Sequence, residues 1–366
     1  MTDFKNEFEY LLHLLRSVLA EAQPQEKPEA LSFDKLFALA REHSVANMAF
    51  YAVEKLSVQP AEPLLSEWRQ LRDKAIVKDI TQLTELELIG EAMSAGGVRF
   101  LPLKGSVLKG YYPQSDMRTM SDIDMLIDEE NAEKVKEIML SLGYSCEHFG
   151  YDVHDIYFKK PVMNVEIHRA LFGEEGQEFR EIFKDPMSMC EPTDSAEHHF
   201  TDESFFAYII AHAAKHYNEG GTGIRSFMDI WVYLNAKGAD IDLERVCTML
   251  ESSGYSGLAR DFVQLSRIWF GGGESSEKYD KMTSYILSCG TYGTIQNSVE
   301  NKVRANGKLH YMFRLIFPTF EHMKQHYPVL KKAPVLLPFC WLQRLVTKPF
   351  INRKQNMAKL NTLMKK

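Results

Sequence analysis

Leu101-Pro102-Leu103-Lys104-Gly105-Ser106, followed after a spacer by Ser121-Asp122-Ile123-Asp124-Met125-Leu126-Ile127, is the stretch on which the reading of this 366-residue chain turns. Val98 to Leu103 is short, apolar and rich in strand formers, and it runs into a Lys-Gly-Ser turn, which predicts a strand and its end. Val107 to Tyr112 predicts a short helix and Pro113 to Ser121 a loop; Ile123 to Ile127 predicts a second strand. Asp128 to Leu142 has helical spacing, acids in its first turn and Gly143 past its end, in accord with the helix dipole. Asp152 to Lys159 and Val162 to His168 predict two further strands around the turn at Lys160-Pro161. Strand, helix, strand, helix, strand, strand is a small α/β unit over residues 98–172.

Outward from that unit the period becomes helical. Leu11, Leu12, Leu14, Leu15, Val18 and Leu19 form one apolar face. Phe33 to Ala40, continued by Val45 to Val53, predicts a second helix, and Trp68 to Ile89 a long third one stopped by Gly96-Gly97. Helical patterns return from Glu203 to Ser288, and the last part mixes them with prolines. The expected class is α+β, with a small mixed sheet embedded between helical regions. The expected parts are an amino-terminal helical region 1–97, the α/β core 98–172, a helical domain 173–300 and a basic helical extension 301–366.

Composition is that of an ordinary globular chain, 45% hydrophobic and 25% charged. Five scattered cysteines show no zinc-type spacing and are read as reduced structural thiols. No apolar run approaches the ~18 residues of a membrane span. The amino terminus lacks a secretory arrangement, so a cytoplasmic location is expected. The net charge of −7 is unevenly spread: from Asn301 onward 14 Lys and Arg face one acid, Glu321, which leaves −20 on the preceding 300 residues. A basic end of this kind suits peripheral contact with an anionic partner or a solvated surface. No RNA-binding motif is present, and an acidic body disfavours a long nucleic acid in a main cleft.

On an extended strand, residues two apart share a face. Asp122 and Asp124 therefore project together while Ile123 turns away. Two carboxylates aimed at one point repel unless a cation lies between them, and carboxylates with phosphate oxygens are the usual ligands of Mg2+. Gly105 lets the backbone approach a phosphate, and helix-entry N–H groups with the Ser106 hydroxyl can hold its oxygens. Lys104 and Arg118 are candidates for neutralising phosphate charge. Lys109 is read as a solvated helix position.

These residues resemble the DNA polymerase β-type nucleotidyltransferase superfamily, whose mark is a Gly-Gly or Gly-Ser turn, an Asp-x-Asp or Asp-x-Glu and a later third carboxylate. The segment LPLKGSVLKGYYPQSDMRTMSDIDMLID, with Val165-Glu166-Ile167-His168, is similar to a bacterial branch, the largely uncharacterised nucleotidyltransferase family. The resemblance covers residues 83–170 most strongly. It implies transfer of a nucleoside monophosphate from a nucleoside triphosphate to an acceptor hydroxyl, with release of pyrophosphate and with Mg2+ or Mn2+ on Asp122, Asp124 and Glu166. The acceptor is expected to be a small molecule or protein. Sixteen positions separate Ser106 from Asp122, longer than in compact members, which gives the Arg118 loop a place in the pocket. Alternation puts Asn164, Glu166 and His168 on one strand face, and Asp155 is the alternative third acid.

His168 is read as binding phosphate or orienting Glu166, or as a hydrogen-bonded structural histidine. His212 and His216 lie one helical turn apart; with Ala213 where a zinc protease would carry Glu and no third ligand evident in the sequence, hydrolytic zinc is not expected. The resembled family has similar histidines followed by an Arg and an Asp, which makes this helical region a candidate wall for nucleotide or acceptor; the alternative reading is structural packing, with Arg225 and Asp229, four apart, as an intrahelical ion pair. The competing function is a nucleotide-binding or toxin–antitoxin regulatory module that keeps the fold without turnover.

Overall fold

Apolar side chains at helical spacing build four helices ahead of the sheet: α1 (Lys5–Leu19), α2 (Phe33–Glu42), α3 (Ala46–Val53) and α4 (Leu64–Ala95). The computed structural model describes residues 5–150, 153–291, 293–347 and 362–363. The Ser32 side chain caps α2 by accepting from the Lys35 N–H. The expected continuation into Val53 is interrupted, because Ser44 takes a left-handed φ of 53° and the chain restarts as α3. α4 stops at Gly96-Gly97, where Gly97 has φ 65°, a conformation glycine adopts without a Cβ penalty.

The sheet has five strands: β1 (Phe100–Pro102), β2 (Ile123–Ile127), β3 (Ser145–His148), β4 (His154–Lys159) and β5 (Met163–His168), in the order β1-β2-β5-β4-β3. Only β2 and β5 pair in parallel; the other pairs are antiparallel. Short α5 (Gly105–Leu108) starts directly after Lys104, earlier than the expected Val107, and α6 (Ala132–Ser141) joins β2 to β3. β3 was not anticipated from sequence. Ser145-Cys146-Glu147-His148 is an exposed edge strand without apolar alternation, so it carries no strand pattern. The expected start of β4 at Asp152 lies outside the described residues.

Two cores flank the sheet. On one side Ile123, Met125, Ile127, Val165 and Ile167 pack with Val135 and Met139 of α6 and with Ile89 and Met93 of α4. On the other side Leu101, Leu103 and Leu126 join a larger core shared with α1–α3 and with α7 (Asp202–Glu219), α8 (Ile224–Lys237), α9 (Leu243–Met249), α10 (Ser256–Gly271) and α11 (Glu277–Leu287). Phe8 of α1 meets Trp269 of α10 edge to face at 5.4 Å, so α1 and α10 close on each other. α4 serves both cores, through Trp68 near its start and Ile89 and Met93 near its end.

The chain continues through α12 (Ile295–Asn306), α13 (Lys308–Ile316), α14 (Phe320–His326), α15 (Val329–Lys332) and α16 (Leu337–Thr347). A small third core holds Met323, Leu330 and Cys340. The basic end Arg353-Lys354 to Lys365-Lys366 lies outside the described residues. No described helix is long and apolar enough to cross a membrane. All five cysteines are free thiols.

One sequence expectation is corrected here. Lys109 is not solvated: it is buried and its ammonium pairs with Asp79 of α4, which also accepts from the Ser115 hydroxyl at 2.5 Å. The turn after α5 points this side chain back at α4. Lys109→Met strands Asp79 in the core and is expected to cost about 3–5 kcal/mol in urea unfolding. Adding Asp79→Leu should recover most of that loss; a single variant as stable as the parent would contradict the pairing.

Candidate active site

β2 and β5 lie side by side with Asp124 opposite Glu166 in register. Ile123, Met125, Val165 and Ile167 point into the sheet core, so Asp124, Glu166 and His168 face the other way. Asp122 sits one residue before β2. The face division expected from strand alternation is therefore present, and the three carboxylates line one cleft with Lys104 and Gly105. Asp155 is excluded from this group. It is buried where it accepts from the Gly150 N–H at 2.7 Å and lies 3.3 Å from Arg169 Nη2.

Asp124 is the most deeply held of the acids. Lys104 Nζ donates to Asp124 Oδ1 at 2.7 Å, and His168 Nε2 reaches the same oxygen at 2.8 Å. Burial alone would raise the Asp124 pKa; the Lys104 ammonium and the His168 ring outweigh it and hold the carboxyl below the ordinary range. Burial opposes the charge on Lys104 too, yet Asp124 keeps its pKa above the ordinary lysine value. Burial lowers His168 to about 4, so its ring is neutral near pH 7 and Nε2–H is the donor to Asp124. Lys104 reaches this position from a backbone at φ 46°, ψ −117°, outside the regions open to ordinary L-residues. Gly105 follows for a steric reason: a Cβ there would lie 2.6 Å from Met120 Cγ and Sδ. Ser106 does not line the cleft; its Oγ stands 3.9 Å from Met120 Sδ.

Asp122 and Glu166 show the opposite electrostatics. Burial first, then repulsion from Asp124 and Glu166, raises Asp122 to about 6. Burial and the Asp124 charge raise Glu166 as well. One of three neighbouring acids is thus neutralised by Lys104, and the other two crowd each other. Such an all-oxygen set short of positive charge fits a hard divalent cation. β4 adds His154, opposite His168 in register, with Nε2 3.8 Å from Glu166 Oε2. His154, Glu166 and His168 each offer a ligand atom within 4.8 Å of the others.

The loop between Ser106 and Asp122 is tied to the amino-terminal helices. Asn47 Nδ2 donates to the Asp116 carbonyl at 2.8 Å, Tyr51 to Asp116 Oδ2 at 2.9 Å, and Gln82 Nε2 to the Met120 carbonyl at 3.3 Å. Arg118 is buried within it. Its Nε and Nη2 hold both oxygens of Asp229 at 2.7 and 2.8 Å, while Nη1 donates to the Thr119 carbonyl at 2.7 Å. Tyr112 donates to the same Asp229 at 2.7 Å. Arg118 borders the cleft, but its donors are directed at α8 and its own loop. The expected Arg225–Asp229 pair is replaced by Arg118–Asp229, and Arg225 donates to the Thr119 carbonyl at 3.1 Å. A helical spacing of four permitted the first pair; a guanidinium arriving from the loop in bidentate geometry takes the carboxylate instead.

α7 closes the far side. His212 and His216 contact each other, Nε2 to Nε2, at 3.2 Å. Burial lowers both, His216 to about 4, so the pair is neutral near pH 7. A cleft of about 380 Å³ joins the parts, lined by the three acids, Lys104, Gly105, Arg118, His154, His168, His212, Lys215, His216 and Arg225. Every site residue expected from sequence except Ser106 borders it. His154, Lys215 and Glu175 border it as well, and no motif in the sequence points to them. His154 had no local signal, because only the β4–β5 register brings it beside His168.

A family model described as uncharacterised nucleotidyltransferase matches residues 29–271. The chain belongs to the uncharacterised nucleotidyltransferase family. Membership makes the protein a transferase of nucleotidyl groups, and the matched span includes the sheet, the cleft and the α7–α8 wall. Among solved structures, two of ANT(2'')-Ia are similar. A solution structure of this antibiotic-resistance factor is 15% identical, covers 50% of this chain and 97% of its own, and has a TM-score of 0.37. A crystal structure in complex with adenylyl-2''-tobramycin is 14% identical, covers 47% and 97%, and has a TM-score of 0.34. No curated protein sequence matches the chain. For this nucleotidyltransferase, Lys104→Met should move the Asp124 carboxyl titration upward in 13C NMR, since its main cationic partner is removed. An unmoved midpoint would show that Lys104 is not what holds it down.

Proposed function

We propose that the protein is a divalent-metal-dependent nucleotidyltransferase that moves a nucleoside monophosphate from a nucleoside triphosphate to a hydroxyl of a small molecule or a protein, releasing pyrophosphate. The observation that carries this reading is the convergence of Asp122, Asp124 and Glu166 on one face of β2 and β5, beside the Lys104-Gly105 turn. In this reading the three carboxylates hold Mg2+ or Mn2+. The ion, when bound, offsets charge on the α-phosphoryl group and acidifies the acceptor hydroxyl.

The remaining chemistry belongs to the chain. Gly105 gives the triphosphate a backbone it can approach closely, and Lys104, Arg118, Lys215 and Arg225 border the cleft as cations. The acceptor oxygen bonds to the α-phosphorus as the bond to the β-phosphate oxygen breaks and pyrophosphate leaves. Glu166, on the same strand face as Asp124, takes the hydroxyl proton. His168 is a positioning residue that aims Asp124. The neutral His212–His216 pair forms an uncharged wall suited to a base or acceptor rather than to phosphate.

Two measurements test the reading. Incubating the protein with labelled nucleoside triphosphates, Mg2+ and cell extract should label one acceptor. Asp122→Asn with Asp124→Asn should reduce the rate by on the order of 10²–10³ or more. Undiminished transfer by the double variant would sink the assignment. The second uses stability. Because folding raises Asp122, the stability it contributes is full below the ordinary carboxylate range and is lost as pH rises through about 6. A cation restores what repulsion removes, so Mg2+ should raise the melting temperature more at about pH 8 than at about pH 5. Equal shifts at both values would count against metal binding by these acids.

A further inference from the structure

The carboxyl-terminal helices turn apolar faces outward. In α13, Leu309, Met312, Phe313 and Ile316 recur at spacings of three and four, hence on one face, and all are exposed, Leu309 by 83%. A second row runs through Val335, Phe339, Leu342 and Val346, exposed by 81%, 67%, 61% and 70%. The inner side of α16 is committed. Cys340 is buried in the third core, Trp341 Nε1 donates to the Pro318 carbonyl at 3.1 Å, and Arg344 Nη1 donates to the Leu315 carbonyl at 3.1 Å. These contacts fix the rotation of α16, so the outward row follows from how the helix packs.

Charge accompanies the apolar rows. Between Lys302 and Thr347 eight Lys and Arg stand against one acid, Glu321. Lys308 and Arg314 are exposed on α13, and exposed Lys331-Lys332 lead into the row that begins at Val335. Aliphatic side chains flanked by lysines match an anionic lipid surface: the former enter the acyl boundary while the ammonium groups stay at phosphate level. A nucleic acid would satisfy the charge and find Phe313 and Phe339 to stack on, but it would leave the six other exposed apolar residues of the two rows without a partner. A second copy pairing through the same face would bring like charge against like.

We propose that α13 and α16 dock the protein on an anionic bilayer surface, with these two apolar rows entering the interface. The helices lie on the membrane and do not span it, none of the described helices being long and apolar enough. The acidic preceding 300 residues are repelled by the same surface, which turns the bulk of the protein away from the lipid.

Co-sedimentation of the full-length protein with phosphatidylcholine vesicles, with and without phosphatidylglycerol, tests this. Binding is expected only to the phosphatidylglycerol vesicles, and added salt should weaken it. Phe339→Glu with Leu342→Glu should lower the bound-to-free ratio by on the order of tenfold or more, with an unchanged thermal unfolding curve because both side chains are exposed. No sedimentation with anionic vesicles, or equal sedimentation of the double variant, would overturn the proposal. So would a dimer in light scattering that the variant dissociates, or displacement of the vesicles by a single-stranded oligonucleotide.

Discussion

Asp124 Oδ1, held at once by Lys104 Nζ and His168 Nε2, is the constraint around which the centre of the molecule is arranged. A buried carboxylate persists as an anion only if its surroundings supply the solvation that water would have given. Here one donor comes from the turn after β1 and the other from the end of β5, so satisfying one oxygen ties together three strands. It also accounts for the backbone at Lys104, whose φ of 46° places the ammonium at Asp124 while Gly105 slips past Met120. Strain at one residue is balanced by a charge-assisted contact at its side-chain tip.

Asp122 and Glu166 lie beside Asp124, and their own burial first, then the Asp124 charge, raises both. The site is thus asymmetric. One acid has a cation in direct contact, while at the other two burial and repulsion outweigh the nearby lysines, which is the condition under which an external cation gains most from binding. Stability and chemistry are coupled here, since groups that repel in the free protein are those that a nucleotide and metal would draw together.

The amino-terminal helices matter to the site although none of the three acids lies on them. Asn47, Tyr51, Asp79 and Gln82 hold the loop from Gln114 to Ser121, and that loop delivers Arg118 to Asp229 on α8. A buried bidentate pair thereby links the sheet to the helical wall carrying His212 and His216. The long spacer between Ser106 and Asp122 has a physical purpose: its length lets the chain reach α3 and α4, return, and bind α8 on the way.

Local pattern carried much of this. Period-two alternation in β2 and β5 told which residues share a face, because strand geometry makes side-chain direction a property of position alone. Helical period and glycine stops located α1, α4 and α6, and marked Glu203 to Ser288 as helical without separating its helices. Where pattern was weak, in exposed β3, or where a break depended on a single left-handed residue, as at Ser44, the sequence left no mark. Partnership was not legible. Lys109 looked solvated and is paired in the core, and Asp229 looked destined for Arg225 and is held by Arg118. His154 looked like one histidine among twelve until the β4–β5 register set it beside His168. The reason is general to buried charge: which acid meets which base depends on chain returns that bring together residues 30 or 111 positions apart. The sequence by itself determined the residue types and the faces they occupy; only tertiary structure decided which of them neutralise one another and which are left to bind something else.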